Sequence, residues 1–152
     1  MLHLKQLLTV RSNIHSLYEL APRSVLQLPL YGGKVAAGFP SPADDHIDRL
    51  IDLNEHLVDN PDATYVTTAS GESMTGVGIH DGDTLIVDCS LEAKHGDIVI
   101  VALNGELTCK QLRKRGSSVL LESANPNYQP IELQEGDDMR VWGVVKHSLH
   151  KL

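Results

Sequence analysis

Residues 97–112 read Asp97-Ile98-Val99-Ile100-Val101-Ala102-Leu103-Asn104-Gly105-Glu106-Leu107-Thr108-Cys109-Lys110-Gln111-Leu112, and this stretch decides the fold. Its first half is rich in β-branched residues, Asn104-Gly105 is the strongest two-residue hairpin signal, and residues 106–112 form the returning strand. A two-residue turn fixes the register, and the facing pairs are Leu103 with Glu106, Val101 with Thr108, and Val99 with Lys110. The sequence therefore predicts a β-hairpin that gives Lys110 mainly aliphatic cross-strand neighbours.

The sequence on both sides of this hairpin also has β character. Gly82-Asp83-Thr84-Leu85-Ile86-Val87 is echoed by Gly96-Asp97-Ile98-Val99-Ile100-Val101, and each is a turn followed by an almost wholly apolar strand. Strands without alternation are expected to be buried on both faces. Further strands are predicted at Thr64–Thr68, Ser118–Glu122, Pro130–Leu133 and Met139–Val145. These patterns predict a mainly β fold, compact and strongly bent, with antiparallel strands and short helices.

The first sixty residues have weaker patterns. Prolines interrupt residues 1–27, where we expect no more than a short helix. The prolines and glycines of Leu28–Pro42 indicate an extended N-terminal arm. A helix is predicted to begin at Ser41, with the apolar residues of 47–51 on one face, and a second short helix is predicted at Leu53–Val58.

Length and charge limit the classes of function. A chain of 152 residues with 41% hydrophobic residues predicts one domain with a real core. The formal net charge of −7 argues against a sequence-independent DNA-binding surface, which needs clustered Lys and Arg. The basic run from Lys110 to Arg115 is interpreted as a solvated hairpin end.

Cysteine usage and the lack of targeting signals indicate a cytoplasmic location. Cys89 and Cys109 form no CxxC pair and are interpreted as reduced thiols with a packing role. The first eight residues lack the apolar region and cleavage site of a signal peptide, and nowhere do eighteen apolar residues run together. We expect a soluble, cytoplasmic protein that makes no membrane contact.

Two His-Asp clusters could be taken for a metal site, because imidazole and carboxylate are good metal ligands. They are His80-Asp81-Gly82-Asp83 and His95-Gly96-Asp97. Turn chemistry explains them better, since an aspartate beside a glycine directly before a strand can bond local backbone groups. We therefore expect neither a metal nor a cofactor, and His147 and His150 indicate nothing beyond a frayed C-terminus.

Ser73, within Ser70-Gly71-Glu72-Ser73-Met74, is a candidate nucleophile, and Lys110 is a candidate base. A neutral lysine amine can remove the hydroxyl proton of a serine, and burial in apolar surroundings favours the neutral amine. Each residue also has a simpler interpretation: Ser73 as a turn former or the cap of a short helix at 74–77, and Lys110 as an edge residue with its amine in water.

The motifs together are more specific than any one of them. They are Ala37-Gly38-Phe39-Pro40-Ser41-Pro42, Ser70-Gly71-Glu72-Ser73-Met74, His80-Asp81-Gly82-Asp83 and Thr108-Cys109-Lys110. In order and spacing the chain from Leu28 to His147 resembles the UmuD group of LexA-like self-cleaving proteins. That resemblance implies a LexA-like C-terminal fold and a chain divided into an arm, residues 1–37, and a peptidase and interaction domain, residues 38–152.

The resemblance also implies a reaction. Ser73 would attack the Ala37-Gly38 bond of its own protein, with Lys110 as the general base and later the proton donor to the leaving amine. The backbone amides of Glu72 and Ser73 would form the oxyanion hole. Cleavage would proceed through an acyl-enzyme.

Its implied partners belong to the SOS response. Contact with a RecA filament on single-stranded DNA would promote self-cleavage, and the trimmed product would join a UmuC-like Y-family polymerase in error-prone translesion synthesis. The resemblance and the apolar strands together also predict a homodimer.

Three alternatives remain beside this interpretation. A non-catalytic module would keep the fold only to bind a polymerase. A LexA or phage-type repressor would need a helix-turn-helix domain before its cleavage site, and the proline-broken residues 1–37 are too few for one, so direct sequence-specific DNA binding is not expected. A signal peptidase would need a membrane anchor, which is not found in this sequence.

Overall fold

The predicted hairpin lies within a mainly β architecture, seen in a computed structural model that describes residues 14–19, 25–35, 38 and 46–152. The chain divides into two units, one of Met1–Leu20 with Asn60–Leu152 and the other of Ala21–Asp59. The elements in chain order are β1 Ile14–Glu19, β2 Gln27–Tyr31, β3 Ile47–Asp52, α1 Leu53–Leu57, β4 Thr64–Ala69, β5 Thr84–Asp88, β6 Ile98–Leu103, β7 Glu106–Arg115, β8 Ser118–Glu122, β9 Ile131–Glu132 and β10 Met139–Leu149. The prediction of a mainly β, antiparallel fold is confirmed.

The hairpin of β6 and β7 has the predicted register. Leu103 pairs with Glu106, Val101 with Thr108, and Val99 with Lys110. Both residues of the turn have positive φ, 49° at Asn104 and 85° at Gly105, which is the conformation that the Asn-Gly pair favours. A local signal therefore determined which side chains face each other across these strands.

The larger unit contains one eight-stranded antiparallel sheet in the order β1-β4-β5-β10-β6-β7-β8-β9. The last strand, β10, inserts between β5 and β6 and pairs with β6 along its first half and with β5 along its second. The register shifts twice along β10, once between Val141 and Gly143 and once between Val145 and His147. Irregularities of this kind increase the local bend of a strand, and the change of partner at Val144 lies between the two shifts.

Both faces of the central strands are buried, as their unbroken apolar runs predict. Side chains of β6 alternate between two core clusters: Ile100 belongs to the first, with Leu85 and Val87, and Val99 and Val101 belong to the second. All five of these side chains are fully buried. A lysine on the Val99 and Val101 face of the hairpin therefore lies beside apolar surface.

Three tight turns of the larger unit share one construction. In each, an aspartate accepts a hydrogen bond from the backbone N–H three residues earlier, over the stretches His80–Asp83, Lys94–Asp97 and Gln134–Asp137, all at 2.8 Å. A glycine with positive φ precedes each aspartate. The two His-Asp clusters of the sequence are thus turns, as predicted, and the third turn repeats their chemistry without a histidine.

The smaller unit corrects the prediction of a helix that extends from Ser41 through residues 47–51. Residues 47–52 form β3, which pairs antiparallel with β2, so the pairing overrides the helical spacing of the apolar residues. Asp52 then caps α1 by accepting from the Asn54 N–H at 2.8 Å, and the predicted second helix is confirmed. Ser41 itself lies outside the described residues.

The allowance for a short helix within residues 1–27 is also wrong for Ile14–Glu19, which pairs with β4.

Candidate active site

Ser73 lies in the loop between β4 and β5. The loop turns at Gly71, whose φ of 84° is readily adopted by glycine and strained for other residues. The residue after Ser73, Met74, is 3% exposed and packs in the first core cluster, which fixes the loop to the sheet. The short helix predicted at 74–77 is a single 3-10 turn, Thr75–Val77. Ser73 is therefore placed on a well-anchored backbone.

Lys110 lies in the middle of β7 and reaches Ser73. Its Nζ is 3.3 Å from the Ser73 Oγ and 3.1 Å from the carbonyl oxygen of Cys109. Ser73 and Lys110 are each only 8% exposed. The interpretations of Lys110 as an edge residue or as part of a solvated basic run are therefore wrong, because strand pairing carries its side chain inward rather than into water.

The surroundings of Lys110 favour the neutral amine. Burial lowers the pKa of Lys110 below its usual 10.5, because removal from water penalises the ammonium more than the amine. The adjacent Cys109 adds no charge, since burial raises the pKa of its thiol to about 12. A neutral amine that donates one hydrogen to the Cys109 carbonyl can direct its lone pair at the Ser73 hydroxyl, so the pair can generate a nucleophile.

Two backbone amides beside Ser73 are available to an anion. Within the part of the chain that the structure describes, the N–H groups of Glu72 and Ser73 donate to no protein acceptor. The preceding amide, that of Gly71, is held by the Asp81 side chain at 2.7 Å. Sequence reasoning treated Asp81 only as part of a turn, and its place ten residues from Gly71 gave no signal of this contact.

The serine and lysine open onto a cleft of about 590 Å³. The cleft is lined by the Ser70–Ser73 loop and the first half of β7, and Tyr128 and Ile131 also line it. A cleft beside strands can accept an extended peptide segment. The reacting side chains therefore face a space large enough for several residues of chain.

The structure describes one of the two residues of the predicted scissile bond. Gly38 is exposed, and a Cβ built on it would meet no atom within 4 Å. Ala37 lies outside the described residues. Cleavage between Ala37 and Gly38 stays a prediction.

The His-Asp clusters have structural partners. Asp83 is 2% exposed and bonds the His80 N–H, the Ser148 hydroxyl at 3.1 Å and the His150 Nδ1 at 2.5 Å. The expectation that His150 belongs to a frayed terminus is wrong, because β10 extends to Leu149 and delivers the imidazole to Asp83. Among the described residues, no group of three or more His, Cys, Asp or Glu side chains could hold a metal ion. No helix in the described part of the chain is long and apolar enough to cross a membrane.

A serine hydroxyl in contact with a buried lysine amine, on a mainly β scaffold, defines a class of hydrolases in which lysine takes the place of histidine as the base. Comparison with known families agrees, since the model of the Peptidase S24-like family matches residues 29–146. The chain belongs to the peptidase S24-like family and is a UmuD-type protein within it.

Several curated relatives are about 40% identical to this chain over the aligned residues. Protein ImpA of Salmonella typhimurium is 39% identical over 124 residues, which are 81% of this chain and 83% of ImpA. Protein MucA of Escherichia coli is 40% identical over 82% of this chain and 86% of MucA. Protein SamA of Salmonella typhimurium strain LT2 is 39% identical over 81% of this chain and 85% of SamA. As a member of this group the protein is a self-cleaving serine peptidase of SOS mutagenesis.

Proposed function

We propose that the protein cuts its own chain between Ala37 and Gly38, with Ser73 as nucleophile and Lys110 as general base. The observation that supports this assignment is the 3.3 Å separation between the Ser73 Oγ and the Lys110 Nζ, both buried and open to one cleft. Cleavage separates an arm of residues 1–37 from a domain of residues 38–152.

The chemistry follows from these groups. Neutral Lys110 takes the Ser73 hydroxyl proton as the Oγ attacks the carbonyl carbon of Ala37, and the N–H groups of Glu72 and Ser73 stabilise the negative oxygen. Lys110 then gives the proton to the departing amine of Gly38 as the C–N bond breaks. Water hydrolyses the remaining ester between Ala37 and Ser73, which restores the serine.

The test is intact-mass measurement of the purified protein over time and pH. We expect a fragment that begins at Gly38, formed faster as pH rises because the neutral fraction of Lys110 increases. Ser73→Ala and Lys110→Ala should each slow cleavage by at least about 10³-fold. If no such fragment forms at high pH or with activated RecA, or if Ser73→Ala cuts as fast as the wild type, the assignment is wrong.

The same measurement decides the main alternative, a module that binds a polymerase without cutting itself. Both proposals include polymerase binding, and they differ in whether the Ala37-Gly38 bond breaks. The small residues at that bond and the contact between Ser73 and Lys110 favour the self-cleaving protein.

We also propose the partners that the resemblance to UmuD-type proteins implies. Contact with a RecA filament on single-stranded DNA accelerates the cut, and residues 38–152 then act in the cytoplasm as an accessory subunit of a UmuC-like Y-family polymerase. A homodimer is the proposed assembly, and light scattering that shows only monomer at micromolar concentration would contradict it.

A further inference from the structure

The carbonyl oxygen of Glu72 is surrounded by donors from two parts of the chain. The Nδ2 of Asn125 donates to it at 2.8 Å, from the loop that follows β8. Thr75 adds its hydroxyl at 3.2 Å and its backbone N–H at 3.4 Å. Three hydrogen bonds on one carbonyl fix the direction in which that oxygen points.

This direction also fixes the N–H of Ser73, because the two groups belong to one peptide unit. A trans peptide is planar, and its C=O and N–H point in opposite directions. With the Glu72 oxygen turned toward Asn125, the Ser73 N–H is turned away from it, and in the described chain that N–H has no protein acceptor. We propose that Asn125 is a positioning residue that holds the Ser73 N–H in place for the oxyanion, an inference that rests on the proposed self-cleavage.

The orientation of the Asn125 side chain is itself determined. Its Oδ1 accepts the Asn127 N–H at 3.0 Å, and its carbonyl accepts the Tyr128 N–H at 3.1 Å, within a turn of residues 125–128. Because the Oδ1 is occupied by a donor, the amide nitrogen is the atom that faces Glu72. Asn125 thus joins a rigid turn to the catalytic loop.

A neighbouring contact holds the two segments at this separation. The Gly76 N–H donates to the Ala124 carbonyl at 2.6 Å, and a Cβ at Gly76 would lie 2.3 Å from that oxygen. Glycine permits this close approach of the two backbones. The 124–125 segment is therefore docked on residues 72–76 at two adjacent points.

The first test is Asn125→Asp in the full chain, which keeps the Oδ1 that accepts from Asn127 and removes the donor to Glu72. Asn127→Asp is the matched control, since it places the same charge in the same turn on an exposed side chain. We expect Asn125→Asp to lower the plateau rate of self-cleavage roughly ten- to a hundred-fold, somewhat less than the 10²–10³-fold typical when an oxyanion donor is removed. The control should cut like the wild type, and the midpoint of the pH profile should differ little between the two.

A variant of the second donor, Thr75, repeats the test without introducing a charge. Thr75→Val removes the hydroxyl donor to Glu72, whereas Thr75→Ser keeps it. We expect a reduced plateau rate for Thr75→Val and recovery in Thr75→Ser, with thermal melting used to show that each variant is folded.

Labelling of Ser73 by a fluorophosphonate probe distinguishes an effect on the oxyanion hole from an effect on the placement of the arm. The Ser73 Oγ forms a bond to phosphorus as fluoride leaves, so the reaction needs the same N–H donors but no arm. Labelling that slows in parallel with cleavage supports the inference. The inference is wrong if the wild type cuts itself and Asn125→Asp and Thr75→Val cut at the same rate as the wild type. It is also wrong if these variants cut slowly but are labelled at the wild-type rate. A wild type that neither cuts nor labels refutes the proposed function instead.

Discussion

At the scale of single residues, the position of Lys110 shows how a strand can produce a base. The lysine faces Val99 across the hairpin, and its amine ends beside Ser73 with little access to water. Burial that would be unfavourable for stability is useful here, since it lowers the pKa of the amine. Burial of the Lys110 side chain therefore favours its role as a base and lowers the stability of the folded protein.

The stability disadvantage gives a prediction for Lys110→Met. The pKa of Lys110 is lower in the folded protein than the 10.5 of the unfolded chain, so the unfolded chain binds more protons between these two values. The stability of the wild type therefore rises with pH between the folded and the unfolded pKa of Lys110. Below the folded pKa, the full penalty for a buried ammonium is present. We expect Lys110→Met to be more stable by about 0.5–2 kcal/mol at neutral pH, with the difference shrinking toward pH 10.5.

Urea denaturation at several pH values measures this difference. Ser73→Ala, which also cannot cut, is the control, because it keeps the lysine and its titration. A Lys110→Met variant that is less stable than Ser73→Ala at every pH would contradict the account.

At the scale of elements, β10 completes the sheet by joining β5 to β6. Gly143 lies where β10 changes from one partner to the other, and a Cβ there would be 2.6 Å from the Val87 Cγ1 and 3.0 Å from the Cys89 Sγ. Glycine allows the strand to pass close to β5 at this point. The close approach of β10 to this part of the sheet thus requires a residue without a side chain at position 143.

Gly143→Ala should consequently destabilise the larger unit. Overpacking at a site without free space typically costs about 1–3 kcal/mol. Arg140→Ala, on the same strand but exposed, should change stability by no more than about 0.5 kcal/mol. Chemical denaturation of both variants in the Ser73→Ala background provides the comparison, and equal midpoints would mean that β10 adjusts at Gly143 without strain.

The elements also show which parts of the fold can be predicted from the sequence. The β6–β7 hairpin was predicted with its register because the Asn-Gly turn is a local signal. The strand at 47–52 was mistaken for a helix because its pairing with residues 27–31 is not visible locally. The contact of Ser73 with Lys110 spans 37 residues, so the resemblance rather than the local pattern suggested it. Asn125 lies 53 residues from Glu72, so no local pattern indicated their contact.

At the scale of the whole molecule, the two units differ in how much they bury. The larger unit has two apolar clusters on an eight-stranded sheet. The smaller unit has a two-stranded pairing and exposes large apolar side chains such as Leu26, Tyr31 and Leu50, at 56%, 57% and 58%. A two-stranded pairing is at best marginally stable by itself, so the units should differ in resistance to local unfolding.

Limited proteolysis of the Ser73→Ala protein should reveal this difference. We expect a nonspecific protease to cut first within residues 25–59 and to leave residues 60–152 intact over the same period. Mass spectrometry of the early fragments gives the cut positions. First cuts within the strands of the larger unit would contradict the expected order.

The contact between Tyr65 and Trp142 provides a way to observe the larger unit directly. Trp142 is the only tryptophan of the chain, and its ring lies 5.5 Å from that of Tyr65, with β5 between their two strands. Tryptophan emission from this protein therefore comes from a single position in the sheet. An unlabelled sample carries its own optical probe, and the colour and intensity of its fluorescence report when β10 separates from its neighbours.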